Sequence, residues 1–104
     1  MTKVTFYFDE NVPYGFLISG HSGFAESGED IVCASVSSVA YMVANTITEI
    51  LKVTAEIDVN DGIMKLIVNK EQRHITKDIL LGLKLHLDSL AEDYPKFLET
   101  LMEV

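Results

Sequence analysis

The hydrophobic period of this chain changes from two residues to three or four and then back, and this change constrains the fold. Val4, Phe6 and Phe8 alternate with more polar neighbours, which is the period of a half-buried strand. Over residues 36–51 the apolar side chains recur at spacings of three and four, and this pattern predicts a helix over about 33–52. A short chain that contains both periods is expected to combine a sheet with helices.

Turn-forming residues separate the remaining elements. Residues 10–15 are rich in turn formers, so residues 16–19 are expected to pair with the first strand as a hairpin. An Asn-Asp-Gly turn within residues 55–69 predicts a second hairpin. Thr76 then fits the N-cap of a second helix. This helix is expected to end at Pro95, because proline disfavours helical geometry in the residue before it.

The predicted order of elements is ββαββα, and residues 97–104 fit either a final C-terminal strand or a helical turn. Strands joined by hairpins indicate an antiparallel sheet with two packed helices, an α+β fold. The length of 104 residues suits one domain, residues 1–104. Leu81 and Leu85 lie off the main apolar stripe of the second helix. They fit either extra core or a dimer contact, and we expect extra core.

The charge of the chain limits its partners. Sixteen acidic and eight basic residues give a formal net charge of −8. Such a surface repels nucleic acid phosphates, so direct nucleic acid binding is not expected. The charge either attracts basic partners or only keeps the protein soluble. No apolar run approaches the ~18–20 residues of a membrane span, and no signal peptide is apparent. With a single cysteine, the expected compartment is the reducing cytoplasm.

Cys33 is the only cysteine of the chain, and it follows His21 at the start of the predicted first helix. In the first turn of a helix, unpaired N–H groups and the helix dipole stabilise a thiolate. The same N–H groups can donate to a developing oxyanion. An imidazole within hydrogen-bond reach would act as the base. The competing interpretation is a small buried apolar role for Cys33 and an exposed loop-edge position for His21.

The residues between His21 and the helix fit two roles each. Ser22, Gly23 and Gly28 fit either ordinary turns or a loop that gates substrate. Asp30 fits a residue that orients His21, or a cap or first-turn acid of the helix. One histidine and one cysteine are too few for a zinc site, and the loop lacks the Lys-Ser/Thr of a phosphate-binding loop. We therefore expect no metal and no cofactor.

These residues resemble a family motif. The pair Gly-His at residues 20–21, the run Asp-Ile-Val-Cys-Ala at residues 30–34 and Ser37 one turn later are together specific. They resemble the ribosomal-processing cysteine protease family, often called Prp, whose members also have about this length and ββαββα order. This chain has Ser22 where the family often has alanine, a small change that leaves the motif intact.

The resemblance implies a cytoplasmic bacterial cysteine endopeptidase. Its members remove a short N-terminal extension from a basic ribosomal protein, number twenty-seven of the large subunit. The residues that carry over are Cys33 as nucleophile and His21 as its base, with residues 22–29 as a mobile loop. The resemblance also implies a homodimer.

Two other classes of function compete with this hypothesis. A non-enzymatic ribosome-associated binding protein would keep Cys33 packed, and it predicts slow alkylation of the thiol near neutral pH. A small acyl-transfer enzyme or thioester hydrolase would use the same dyad in a narrow pocket rather than along an extended peptide.

Overall fold

The computed structural model describes residues 1–20 and 29–104, apart from the side chain of Glu29. The strands are β1 (Thr2–Asp9), β2 (Val12–Ser19), β3 (Ala55–Asn60), β4 (Ile63–Val68) and β5 (Leu98–Glu103). The helices are α1 (Glu29–Asn45), its π-helical continuation (Thr46–Ile50), a 3₁₀ turn (Lys70–Gln72) and α2 (Arg73–Asp93).

The five strands form one sheet in the order β3-β4-β2-β1-β5. The two predicted hairpins are present, and the final strand is confirmed over residues 97–104. The sheet is mixed rather than antiparallel, because β5 runs parallel to β1. The reason is topological: β4 also points the same way as β1, and α2 is the crossover that parallel strands require. The α+β class is therefore confirmed, and the purely antiparallel sheet is wrong.

The core lies between one face of the sheet and the two helices. Along β1, alternate residues from Thr2 to Phe8 are buried, as the period of two predicts. The core contains, from the sheet, Val4, Phe6, Phe16, Ile18, Leu66 and Leu98, and from the helices Val32, Val36, Ala40, Val43, Ile47, Leu80, Leu83 and Leu87. Both helices therefore lie on the face of the sheet to which Thr2 and Val4 point.

The first helix is shifted towards the N-terminus relative to its prediction. It begins at Glu29 rather than near Cys33, and its apolar stripe includes the buried Val32. At its other end, Ile50 is 73% exposed and Leu51 is 38% exposed, although both continue the predicted stripe. The π-helical turn explains this difference, because it adds residues per turn and rotates the last side chains away from the core.

The second helix begins earlier than the cap residue that the sequence suggested. Asn69 accepts a hydrogen bond from the backbone N–H of Gln72 at 3.0 Å and so caps the 3₁₀ turn. Thr76 lies inside α2 and is fully buried, so its prediction as N-cap is wrong. Leu85 is 74% exposed and Leu81 is 40% exposed, so neither is extra core.

The helix formed by residues 30–50 passes the length and composition test for a membrane span, with a mean hydropathy of 1.5. This corrects the expectation that no apolar run approaches that length. The core helix of a soluble protein passes the same test, and Val36, Ala40 and Val43 of this helix pack in the core. The apolar composition of α1 therefore follows from its packing against the sheet and α2.

Candidate active site

Cys33 lies in the second turn of α1. Because the helix begins at Glu29, the N–H groups without intrahelical acceptors belong to residues 29–32. The expectation that Cys33 occupies the first turn is therefore wrong, and its own N–H is not one of the predicted oxyanion donors. The influence of the helix dipole also falls off within the first turn. The start of α1 therefore contributes little electrostatic stabilisation at the Cys33 sulfur.

The contact that the structure gives the Cys33 sulfur is with the first residue of β1. The Cys33 Sγ atom lies 3.1 Å from the Thr2 Oγ1 atom, and either atom can be the donor. Thr2 is fully buried, whereas Cys33 is a free thiol and is partly exposed. The thiol therefore contacts a buried hydroxyl and is itself partly accessible. Sequence reasoning missed Thr2, although extending the alternation of Val4, Phe6 and Phe8 by two residues would place it on the core face.

Gly20 directly follows β2 and lies beside the start of β1. Its φ angle is 92°, which disfavours any residue with a side chain. A methyl group at this position would also collide with the carbonyl oxygen of Met1. Gly20 therefore lies close to Met1. The residue after Met1, Thr2, contacts Cys33. This arrangement brings the end of β2 and the cysteine to the same corner of the domain.

Four of the predicted site residues lie outside the described residues: His21, Ser22, Gly23 and Gly28. The dyad and the gating loop consequently stay predictions. Asp30 is described, exposed and inside α1, so it is a first-turn acid and not the N-cap. Its orienting role towards His21 is likewise still a prediction.

A cleft lies beside the helix flank that carries the cysteine. Ser37, one turn after Cys33, lines it together with Tyr41. The opposite wall comes from the β3–β4 hairpin and the adjacent strand, and consists of Ile18, Val59, Asn60, Gly62, Ile63 and Met64. The cleft is therefore mostly apolar and can receive an apolar side chain of a bound segment. Within the described part of the chain, no group of three His, Cys, Asp or Glu side chains is placed to hold a metal ion.

Comparison with known proteins gives the family of the chain. The family model for cysteine protease Prp matches residues 1–99. None of the curated proteins matches the sequence. Several solved structures are similar to it over nearly the whole length of both chains.

The ribosomal processing protease Prp from S. aureus, solved with a substrate peptide, superposes with a TM-score of 0.90 at 21% identity, covering 99% of this chain and 100% of the other. The same protease with a covalently linked product peptide gives 0.85 at 24% identity, covering 99% and 100%. The protein SMU.848 from Streptococcus mutans gives 0.82 at 25% identity, covering 98% and 93%. The structural matches below 25% identity establish the fold, and the family model establishes the kinship: this chain belongs to the cysteine protease Prp family.

Proposed function

We propose that this chain is a cysteine endopeptidase in which Cys33 is the nucleophile and His21 is the general base. One observation carries the proposal: a member of a cysteine protease family needs a reactive cysteine, and this chain has only one. The partial exposure of Cys33 supports the assignment, because a nucleophile must be reachable by its substrate.

Elimination among the three histidines supports His21 as the base. His74 lies with Asp9 and Arg73 at the end of β1 that is opposite to Thr2. His86 lines the groove between α1 and α2 on the side of Ile31, Ser35 and Met42. At 100° per residue these three positions lie on the opposite side of α1 from Cys33. Neither histidine is therefore near the thiol, which leaves His21.

The proposed mechanism uses the dyad twice. The Cys33 thiolate attacks the carbonyl carbon of the scissile peptide bond, and the protonated His21 gives its proton to the leaving amine. The resulting thioester is then hydrolysed by water, with His21 accepting a proton from that water. Asp30 has either of its two roles here, orienting His21 or stabilising the first turn of α1.

We propose that the substrate is the N-terminal extension of a basic ribosomal protein, removed during ribosome maturation. The S. aureus relative carries the name ribosomal processing protease and was solved with a substrate peptide, which supports this choice. The apolar cleft beside Ser37 and Tyr41 supports binding of an apolar segment next to the thiol. The net charge of −8 favours a basic substrate body by long-range attraction.

An affinity label tests the proposal. A peptide that spans the N-terminal side of the extension junction is prepared with a chloromethyl ketone at its C-terminus. We expect one stoichiometric adduct, mapped by mass spectrometry to Cys33, and loss of cleavage of the unmodified junction peptide. A scrambled peptide with the same reactive group is the control and should label far more slowly, because it does not fill the cleft. Full labelling of Cys33 with cleavage intact would contradict Cys33 as the nucleophile, whereas absence of cleavage together with equally slow labelling by both peptides would favour the non-enzymatic binding protein.

The remaining partner and location statements are part of the same proposal. We propose a cytoplasmic bacterial homodimer that binds neither nucleic acid nor membrane and uses no cofactor. Large exposed apolar side chains on the outer face of the helices support the dimer, among them Leu85 at 74%, Ile31 at 67% and Met42 at 54%. The acidic charge supports the absence of nucleic acid binding.

Analytical ultracentrifugation tests the dimer and the nucleic acid statement together. We expect a species of about twice the chain mass of 11.6 kDa, because a symmetric dimer is the simplest way to cover one apolar face on each copy. Added ribosomal RNA should leave its sedimentation unchanged at physiological salt. A species at the monomer mass, or co-sedimentation with the RNA, would contradict the respective statement.

A further inference from the structure

Thr2 combines complete burial with a polar contact to the proposed nucleophile. Its side chain is 0% exposed, and its hydroxyl oxygen lies 3.1 Å from the Cys33 sulfur. Among the residues that the structure describes, this sulfur is the partner of that hydroxyl. A buried hydroxyl loses its water partners and needs a replacement. The Cys33 sulfur therefore provides the hydrogen-bonding partner that the buried Thr2 hydroxyl needs.

The threonine is held rigidly. It pairs with Leu98 of β5, and its backbone N–H donates to the carbonyl oxygen of Phe97 at 2.9 Å. On its other side, β1 is paired with β2, in which Ser19 faces Lys3. A β-branched side chain has few rotamers, so the position of Oγ1 is set by the backbone. A rigid hydroxyl fixes in turn the direction in which the Cys33 sulfur points.

The contact suits the reactive form of the sulfur. A hydroxyl can accept from the S–H group, which is a weak donor, or donate to a thiolate, which only accepts. A hydrogen bond to an ionised partner is about twice as strong as a neutral one, so the contact is strongest when the sulfur attacks as a thiolate. The Thr2 hydroxyl, held on the neighbouring strand, is therefore placed to hold the attacking sulfur.

We propose that Thr2 is a positioning residue for the nucleophile: its hydroxyl donates to the Cys33 thiolate as it attacks and fixes the direction in which the sulfur points. The inference rests on the proposed function, in which Cys33 attacks the peptide bond. It assigns a task in the reaction to a strand residue outside the histidine-to-cysteine segment.

The test compares Thr2→Val with Thr2→Ser by the rate at which iodoacetamide alkylates Cys33. Valine has the shape of threonine without the hydroxyl and suits a strand, whereas serine keeps the hydroxyl. At pH 7 we expect alkylation of Thr2→Val to be about 10-fold slower and that of Thr2→Ser to stay within about 3-fold of the parent. Thr2→Ala provides a second variant without the hydroxyl.

Two outcomes would overturn the inference: an unchanged rate for both hydroxyl-free variants, or an equal loss in Thr2→Ser. Alkylation needs no substrate, so these rates judge Thr2 independently of peptide cleavage. Cleavage that persists in Cys33→Ala would instead overturn the proposed function and leave the Thr2 measurement standing.

Discussion

Cys33→Ala is expected to abolish cleavage of the junction peptide, with kcat/KM lowered by about 10⁴-fold or more. The methyl group of alanine cannot form a thioester, and the chain has no second cysteine that could replace the lost one. Because Cys33 is only partly buried, its truncation should leave the fold intact. Cleavage is measured by mass spectrometry of the junction peptide over several hours, and the fold by circular dichroism.

Two further variants control for indirect effects. Cys33→Ser keeps the size of the side chain and a hydrogen-bonding atom next to Thr2, and it should be nearly as inactive, because a hydroxyl is a far weaker nucleophile than a thiolate at neutral pH. Ser35→Ala removes a hydroxyl that donates to the Ile31 carbonyl oxygen at 2.9 Å on another side of α1. It should keep activity within about 2-fold, since such local bonds contribute little. Cleavage by Cys33→Ala at a rate close to that of Ser35→Ala would exclude Cys33 as the nucleophile.

Local sequence signals predicted the strands well and the connections between them less well. The alternation at Val4, Phe6 and Phe8 identifies both a strand and its buried face, because successive side chains of a strand point to opposite faces of the sheet. The direction of β5 could not be predicted in this way. It follows from the crossover by α2, which leaves no signal in the local sequence pattern. Likewise, the exposure of Leu85 depends on which neighbours the helix meets; periodicity placed it off the main stripe, and the expectation that it adds to the core is wrong.

The candidate site could be predicted in part for the same reason. Cys33 and its helix follow from the chain itself, and the earlier start of α1 was visible in the phase of Val32, which lies one turn before Val36 in the buried stripe. The contact with Thr2 joins residues 31 positions apart. Such a contact depends on the packing of β1 against α1, so the sequence indicates only that Thr2 faces the core.

Gly20→Ala is expected to destabilise the protein by about 2–5 kcal/mol, through two independent costs. A φ of 92° is unfavourable for alanine by about 1–2 kcal/mol. The added methyl group would also collide with the Met1 carbonyl oxygen, and forcing space into a packed region costs about 1–3 kcal/mol. Because this carbonyl belongs to backbone that continues into Thr2, the collision should displace the partner of Cys33. We therefore expect cleavage to fall by about 10-fold or more in the variant that is still folded.

The matched control is Gly82→Ala, the same substitution in an exposed position of α2. A methyl group there meets nothing within 4 Å, and alanine is a better helix former than glycine, so we expect a gain of about 1 kcal/mol. Urea denaturation measures both free energies of unfolding, and the two variants should move in opposite directions. If both were stabilised equally, β2 would have to end without the strained turn at Gly20. The close approach of Gly20 to the corner of Thr2 and Cys33 would then lose its structural basis.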